Sequence, residues 1–189
     1  MRLYRVCPVD PTTAPRQPYH PSFVPRSSGQ HRIDNAERYD TLYLSAQAPG
    51  AVAERFGTFL EWGDWLLEHP RGFNAQLVAF ELDEARRVLD LDDAGTLLER
   101  SLRPSRVITR DRRTTQAWAS DIHDEGRWAG VSWWSYYNPD WASCGLWCPP
   151  GEGSIRGLLV VSVEPLAARH PAVIEASQVL LRPWSGAGS

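Results

Sequence analysis

The stretch Thr41-Leu42-Tyr43-Leu44-Ser45-Ala46-Gln47-Ala48-Pro49-Gly50-Ala51-Val52-Ala53-Glu54-Arg55-Phe56 changes character half-way along. Thr41 to Ser45 has the alternation and residue types of a short strand. Pro49 then stands at the first-turn position that proline favours, because the amide it lacks has no partner there. Val52, Phe56, Phe59 and Leu60 recur at helical spacing and predict the buried face of a helix. Glu54 falls off that stripe, on a flank near the expected N-terminus. A strand feeding a helix sets the pattern for the whole chain.

Toward the N-terminus, Arg2 to Val6 alternates and predicts another strand. Between the two strands lies a proline-rich segment, residues 8–28, with Pro8, Pro11, Pro15, Pro18, Pro21 and Pro25. Lost amide donors and a fixed backbone make this an extended arm, facing a partner or lidding a site, and not a core element. Toward the C-terminus, strands are expected over Gln76 to Leu82 and Val88 to Leu91, around the charged turn 83–87. A short helix is expected over Ala94 to Arg100, stopped by Pro104. Asp111 or Thr114 can cap a helix reaching His123 and ended by Gly126. Three β-like runs follow, Trp128 to Tyr137, Ala142 to Trp147 and Ile155 to Val163, the last two joined by the turn 149–153. Val173 to Leu181 reads as a terminal strand, and residues 185–189 as a flexible tail. Short strands that do not alternate regularly with helices point to a single α+β domain over 1–189, with its core at about 2–163.

Composition excludes several classes of function. A chain of 189 residues with net charge −3 has no basic footprint for direct nucleic-acid binding. All 20 basic residues are arginine, so any cationic clamp must be guanidinium, and lysine chemistry is ruled out. Three cysteines, Cys7, Cys144 and Cys148, suit neither a disulfide framework nor zinc. His20, His31, His69, His123 and His170 show no ligand spacing, so no metal is expected. His31, beside Arg32, is the one histidine placed to enter a site. The longest apolar run, residues 157–163, is too short to span a bilayer, and the protein is expected in the cytoplasm, away from the membrane.

Five polar residues remain as candidates: Arg5, Arg32, Tyr43, Glu54 and Ser135. Two guanidinium groups converging in a cleft would bind a pyrophosphate; each alone reads as a surface arginine. No glycine-rich phosphate loop exists, so any nucleotide must be held by side chains. Tyr43 is either a packing residue or a flat surface for an aromatic ring. Glu54 is either a helix-terminus acid favoured by the dipole or a charge facing a substrate. Ser135, among Trp133, Trp134, Tyr136 and Tyr137, either fills a small space or donates a hydrogen bond in an aromatic pocket. It lacks the Gly-x-Ser-x-Gly setting of a hydrolase nucleophile.

In order and separation these residues resemble the RES-domain toxins. The matching features are Tyr4-Arg5, Arg32 in a polar loop, Leu42-Tyr43-Leu44, Ala51-x-x-Glu54, Thr115-Gln116-Ala117 and Gly130 to Ser135. The chain departs from the family pattern beside Arg32, where His31 and Ile33 stand for a glycine and an aromatic, and around Ser135, flanked by Trp134 and Tyr136. The resemblance implies a fold similar to the ADP-ribosyltransferase toxins, with a split mixed or antiparallel sheet clasping NAD as substrate. It implies that Glu54, Arg5 and Tyr43 are catalytic, and that Arg5, Arg32, Tyr43 and Ser135 bind NAD. The implied activity is cleavage of the nicotinamide–ribose bond by a toxin paired with an Xre-type helix-turn-helix antitoxin. Transfer of ADP-ribose to a protein or nucleotide acceptor is the alternative, and a non-catalytic binding module with an aromatic interface the remoter one. A homo-oligomer is compatible with every one of these readings.

Overall fold

A computed structural model describes residues 1–185. Seven strands form one mixed sheet: β1 (Arg2–Pro8), β2 (Asp40–Ser45), β4 (Ala75–Leu82), β5 (Val88–Asp90), β6 (Gly130–Trp134), β7 (Ala142–Cys148) and β8 (Leu158–Pro165), in the order β5-β6-β7-β2-β1-β4-β8. Only β5 and β6 run parallel; the other neighbours are antiparallel. A two-stranded ribbon pairs β3 (Trp62–Gly63) with β9 (Trp184–Ser185). Ser185, read from sequence as the start of a loose tail, is thus part of a strand; the remaining tail residues lie outside the described region. The helices are α1 (Ala48–Phe56), α2 (Ala94–Glu99), α3 (Pro104–Val107), α4 (Arg112–Asp124) and α5 (Pro171–Leu180).

The sheet is split at its centre. β1 and β2 meet at a single register pair, Tyr4 with Ser45, whereas β2 and β7 pair along six residues and β1 and β4 along seven. Beyond Tyr4 the two halves part. The face carrying Tyr4, Val6 and Ser45 is covered in two separate patches. Over one half, Val52 and Phe56 of α1 and Val173 and Ala176 of α5 pack on Val6 and Leu77. Over the other, Trp118, Ala119 and Ile122 of α4 pack with Val131, Trp133 and Trp147. The opposite face, with Leu3, Leu42, Leu44, Phe80 and Leu146, is covered by Val9 and Val24 of the proline-rich arm and by Ile155. The arm is therefore anchored: Val24 is buried and its amide donates to the Gly153 carbonyl.

Three sequence expectations change. Val173 to Leu181 is helical in the main, within α5, because His170 caps the helix and Pro171 opens it. Ala172, Val173 and Ala176 then meet α1 at helical spacing, and packing overrides the β-branched composition. Second, α1 ends at Phe56, so Phe59 and Leu60 are exposed and do not continue its buried stripe. Third, Pro104 does more than stop α2: it opens α3. The turn 83–87 joins strands on opposite sides of the sheet, since β5 lies at one edge and β4 beside the other. Trp62, Trp118, Trp133, Trp141 and Trp147 are buried in the core, whereas among the aromatics around Ser135, Trp134 and Tyr137 are half-buried and Tyr136 is exposed.

Candidate active site

A cleft of about 420 Å³ opens where the sheet divides, between the α1 and α4 halves; Arg5, His31, Arg32, Tyr43, Glu54, Arg55, Arg112, Trp133, Tyr136 and Ser143 line it. Four of the five candidate residues line this cleft. The fifth, Ser135, is buried behind it and reaches it through Glu54.

Glu54 departs most from its bland reading. It lies in the last turn of the short helix α1, and the first turn carries no acid. The helix dipole therefore does not explain it; a carboxylate is disfavoured at that end. Glu54 nonetheless projects, exposed, from a helix whose other face is buried. Its Oε1 accepts two hydrogen bonds, from Ser135 Oγ at 2.8 Å and Ser143 Oγ at 3.0 Å. Its Oε2 has no partner among the described residues. One oxygen is held, the other is left free to accept, and the residue lines the cleft. Ser135 follows the end of β6 and is not within the strand, and its backbone amide donates to the Trp141 carbonyl at 2.6 Å. Ser143, on β7, was not singled out from sequence; sheet pairing alone brings it opposite Trp133 and Ser45. Both serines are buried, so each hydroxyl has a fixed partner.

Gly50 sets how closely α1 approaches this floor. A Cβ there would collide with Ser45 Oγ and lie 3.2 Å from Trp141 Cβ.

Tyr43 is half-buried on β2. Its hydroxyl donates to Asp34 Oδ1 at 2.9 Å and accepts from the Ile33 amide at 3.1 Å. Burial, reinforced by the Asp34 charge, pushes its pKa far up, so this phenol stays protonated and is no general base. Its ring meets His31 edge-on at 5.6 Å. Asp34, also not foreseen, is 2 % exposed and accepts in addition from the His31 amide and Ser28 Oγ.

The loop bearing Arg32 is stapled to α4. Thr115 Oγ1 donates to the Arg32 carbonyl, and Gln116 Nε2 donates to the carbonyls of Gly29 and His31 at 2.9 and 3.0 Å. The Thr115-Gln116-Ala117 motif thus positions the Arg32 loop. Arg32 Nη1 donates to the Val107 carbonyl at 2.6 Å and the Thr109 carbonyl at 3.2 Å, with the guanidinium 5.9 Å from the Trp133 ring centre. Burial, and then the neighbouring Arg112 charge, lower its pKa. Arg5 stands where β1 and β2 part, and its Nη1 donates to the Phe23 carbonyl of the arm at 3.1 Å.

The sequence model of the RES domain matches residues 2–168. The chain belongs to the RES domain family. Its fold is similar to that of a chain in the crystal structure of the M. tuberculosis MbcT-MbcA toxin-antitoxin complex, with a TM-score of 0.59, 12 % identity, and coverage of 95 % of this chain and 88 % of that one. At that identity the likeness is one of fold. No curated protein matches the chain.

The electrostatics of this RES domain cleft are one-sided. Arg5, Arg32, Arg55 and Arg112 line it against the single carboxylate of Glu54, and none of the four forms an ion pair among the described residues. Uncompensated guanidinium groups around a partly desolvated cleft attract a polyanion. Among the described residues, no three His, Cys, Asp or Glu side chains gather as a metal site. No helix among them is long and apolar enough to cross a membrane.

Proposed function

We propose that this RES domain cleaves the nicotinamide–ribose bond of NAD. The observation that carries the reading is the setting of Glu54: a carboxylate away from the helix N-terminus that lines an arginine-rich cleft, with one oxygen fixed by two buried serines. In the reaction the glycosidic C–N bond breaks and its electron pair leaves with nicotinamide, neutralising the pyridinium nitrogen. Positive charge develops on the ribose anomeric carbon, as in glycoside hydrolysis. Glu54 Oε2 faces that charge and accepts a proton from the attacking water as the new C–O bond forms. The products are nicotinamide and ADP-ribose, with the proton passed on to solvent. Arg5 and Arg32 supply guanidinium groups for the pyrophosphate, and the Tyr43 ring supplies a stacking surface for nicotinamide.

Such an activity depletes the cell's NAD and requires restraint. The partner expected is an Xre-type antitoxin that covers the cleft, which agrees with the toxin–antitoxin nature of the M. tuberculosis complex. The direct test is to incubate purified protein with NAD and a chelator and follow nicotinamide. Release with stoichiometric free ADP-ribose supports hydrolysis. Release with ADP-ribose retained on an added protein or nucleotide supports transfer instead. No release from folded protein under either condition rejects the enzymatic reading.

A further inference from the structure

Resting on that reading, we infer that Arg112, together with Arg32, forms the clamp that binds the diphosphate of the dinucleotide. Arg112 opens α4 and lines the cleft with Arg32 and Glu54. Its Nη1 is buried and has no hydrogen-bond partner among the described residues. Leaving a buried charged donor unpaired is costly, and a ligand oxygen would remove that cost. Several other buried polar atoms lack a partner, but Arg112 is the one among those described that lines this cleft.

The neighbouring groups agree. Arg32 and Arg112 are close enough for the Arg112 charge to oppose protonation of Arg32. Neither arginine forms an ion pair among the described residues, and the one carboxylate that lines the cleft, Glu54, favours the charged form of Arg32 less than burial and Arg112 oppose it. Two like charges held together in a cleft with a single carboxylate suit a ligand carrying adjacent negative charges. Thr115 Oγ1 donates to the Arg32 carbonyl and, at 3.3 Å, to the Arg112 carbonyl, so one side chain sets the spacing of both residues. Arg110, Asp111, Arg112 and Arg113 are contiguous in sequence, and only the fold distinguishes the inward one.

The test is titration of the full chain with ADP and with AMP, which differ by the second phosphate. The parent should bind ADP more tightly than AMP. Arg112→Ala should lose on the order of ten- to a hundredfold in ADP affinity and bind the two nucleotides alike, with an unliganded Tm close to the parent's. Arg112→Lys should recover only part of the affinity, because an ammonium cannot bridge two oxygens as a fork. Arg113→Ala, exposed and outside the cleft, should behave as the parent. Arg112→Gln replaces the alanine variant if that fails to fold. A parent that does not bind ADP, or an Arg112 variant that binds it as the parent does, overturns the clamp. Arg112-dependent ADP binding without nicotinamide release from NAD upholds the clamp and removes the proposed activity. NAD turnover with an unchanged KM in Arg112→Ala removes the clamp and leaves the activity standing.

Discussion

At the residue scale, the site depends on how one carboxylate is held. Ser135 and Ser143 donate to the same oxygen of Glu54, so the orientation of the carboxylate is fixed twice. Glu54→Gln keeps the size of the side chain but removes the charge that, in the proposed reaction, faces the developing cation. The chemical step should fall about a hundredfold or more while NAD still binds, which single-turnover kinetics and direct titration would separate. A parent-like rate would reduce Glu54 to a bystander. Ser143→Ala should act through Glu54 and not through the substrate. The expected result is about a tenfold lower kcat, from one lost charge-assisted hydrogen bond, with KM near the parent value. A rise in KM alone would show that the serine binds the ligand directly. Arg5→Ala should show the reverse pattern, weaker NAD binding with a smaller effect on the chemical step.

At the element scale, the strand-to-helix unit from β2 to α1 could be read from sequence, and the surfaces that pack on it could not. Pro49 and the Val52–Phe56 spacing predict the start and face of α1 because these signals are local. Gly57 ends the helix just after Phe56, which moves Glu54 from an expected first turn to the last. The helix α5 was hidden because Val173, Ile174 and Val179 favour strands, and only contact with α1 settles its form. Pro171 was the available signal. Ser143 and Arg112 escaped for a related reason: strand pairing across β7 selects one, and the orientation of α4 picks the other from a run of arginines. Gly50 shows how tightly the helix is seated. Alanine normally stabilises a helix interior by about 1 kcal/mol relative to glycine. Here a Cβ would displace Ser45 Oγ, which donates to the Ala142 carbonyl, and press on Trp141. Gly50→Ala should therefore destabilise the protein by about 1–2 kcal/mol in urea unfolding, and should lower NAD turnover by shifting Glu54. A stabilised variant would show that α1 has room to move.

At the scale of the whole molecule, two helix-covered cores flank a divided sheet, and the cleft between them joins residues from positions 4 to 143. This separation in sequence is why order alone pointed to Glu54 and Tyr43 but gave no geometry for them. The same architecture buries several weak acids, and they act in one direction. Burial pushes the Cys144 thiol up to about 12 and Cys148 up to about 11, from an ordinary 9.0. It raises the Tyr39 and Tyr43 phenols further still, from 10.0. For each group the folded state holds its proton more tightly than the unfolded chain does. Below about pH 9 both states are protonated and the full stability is present. As pH rises from there, the unfolded chain ionises first, and stability falls through the window up to the folded values of about 11 to 12. The slope should approach about 1.4 kcal/mol per pH unit for each group that only the unfolded chain has ionised. Denaturant unfolding between pH 7 and pH 11 should show a plateau followed by a steep decline. Cys144→Ala should be less stable at neutral pH, where a buried sulfur is lost, yet decline less steeply above pH 9, because one of the ionising groups is gone. A parallel decline in the two proteins would show that Cys144 contributes nothing to the alkaline limb and that the buried tyrosines and Cys148 carry it.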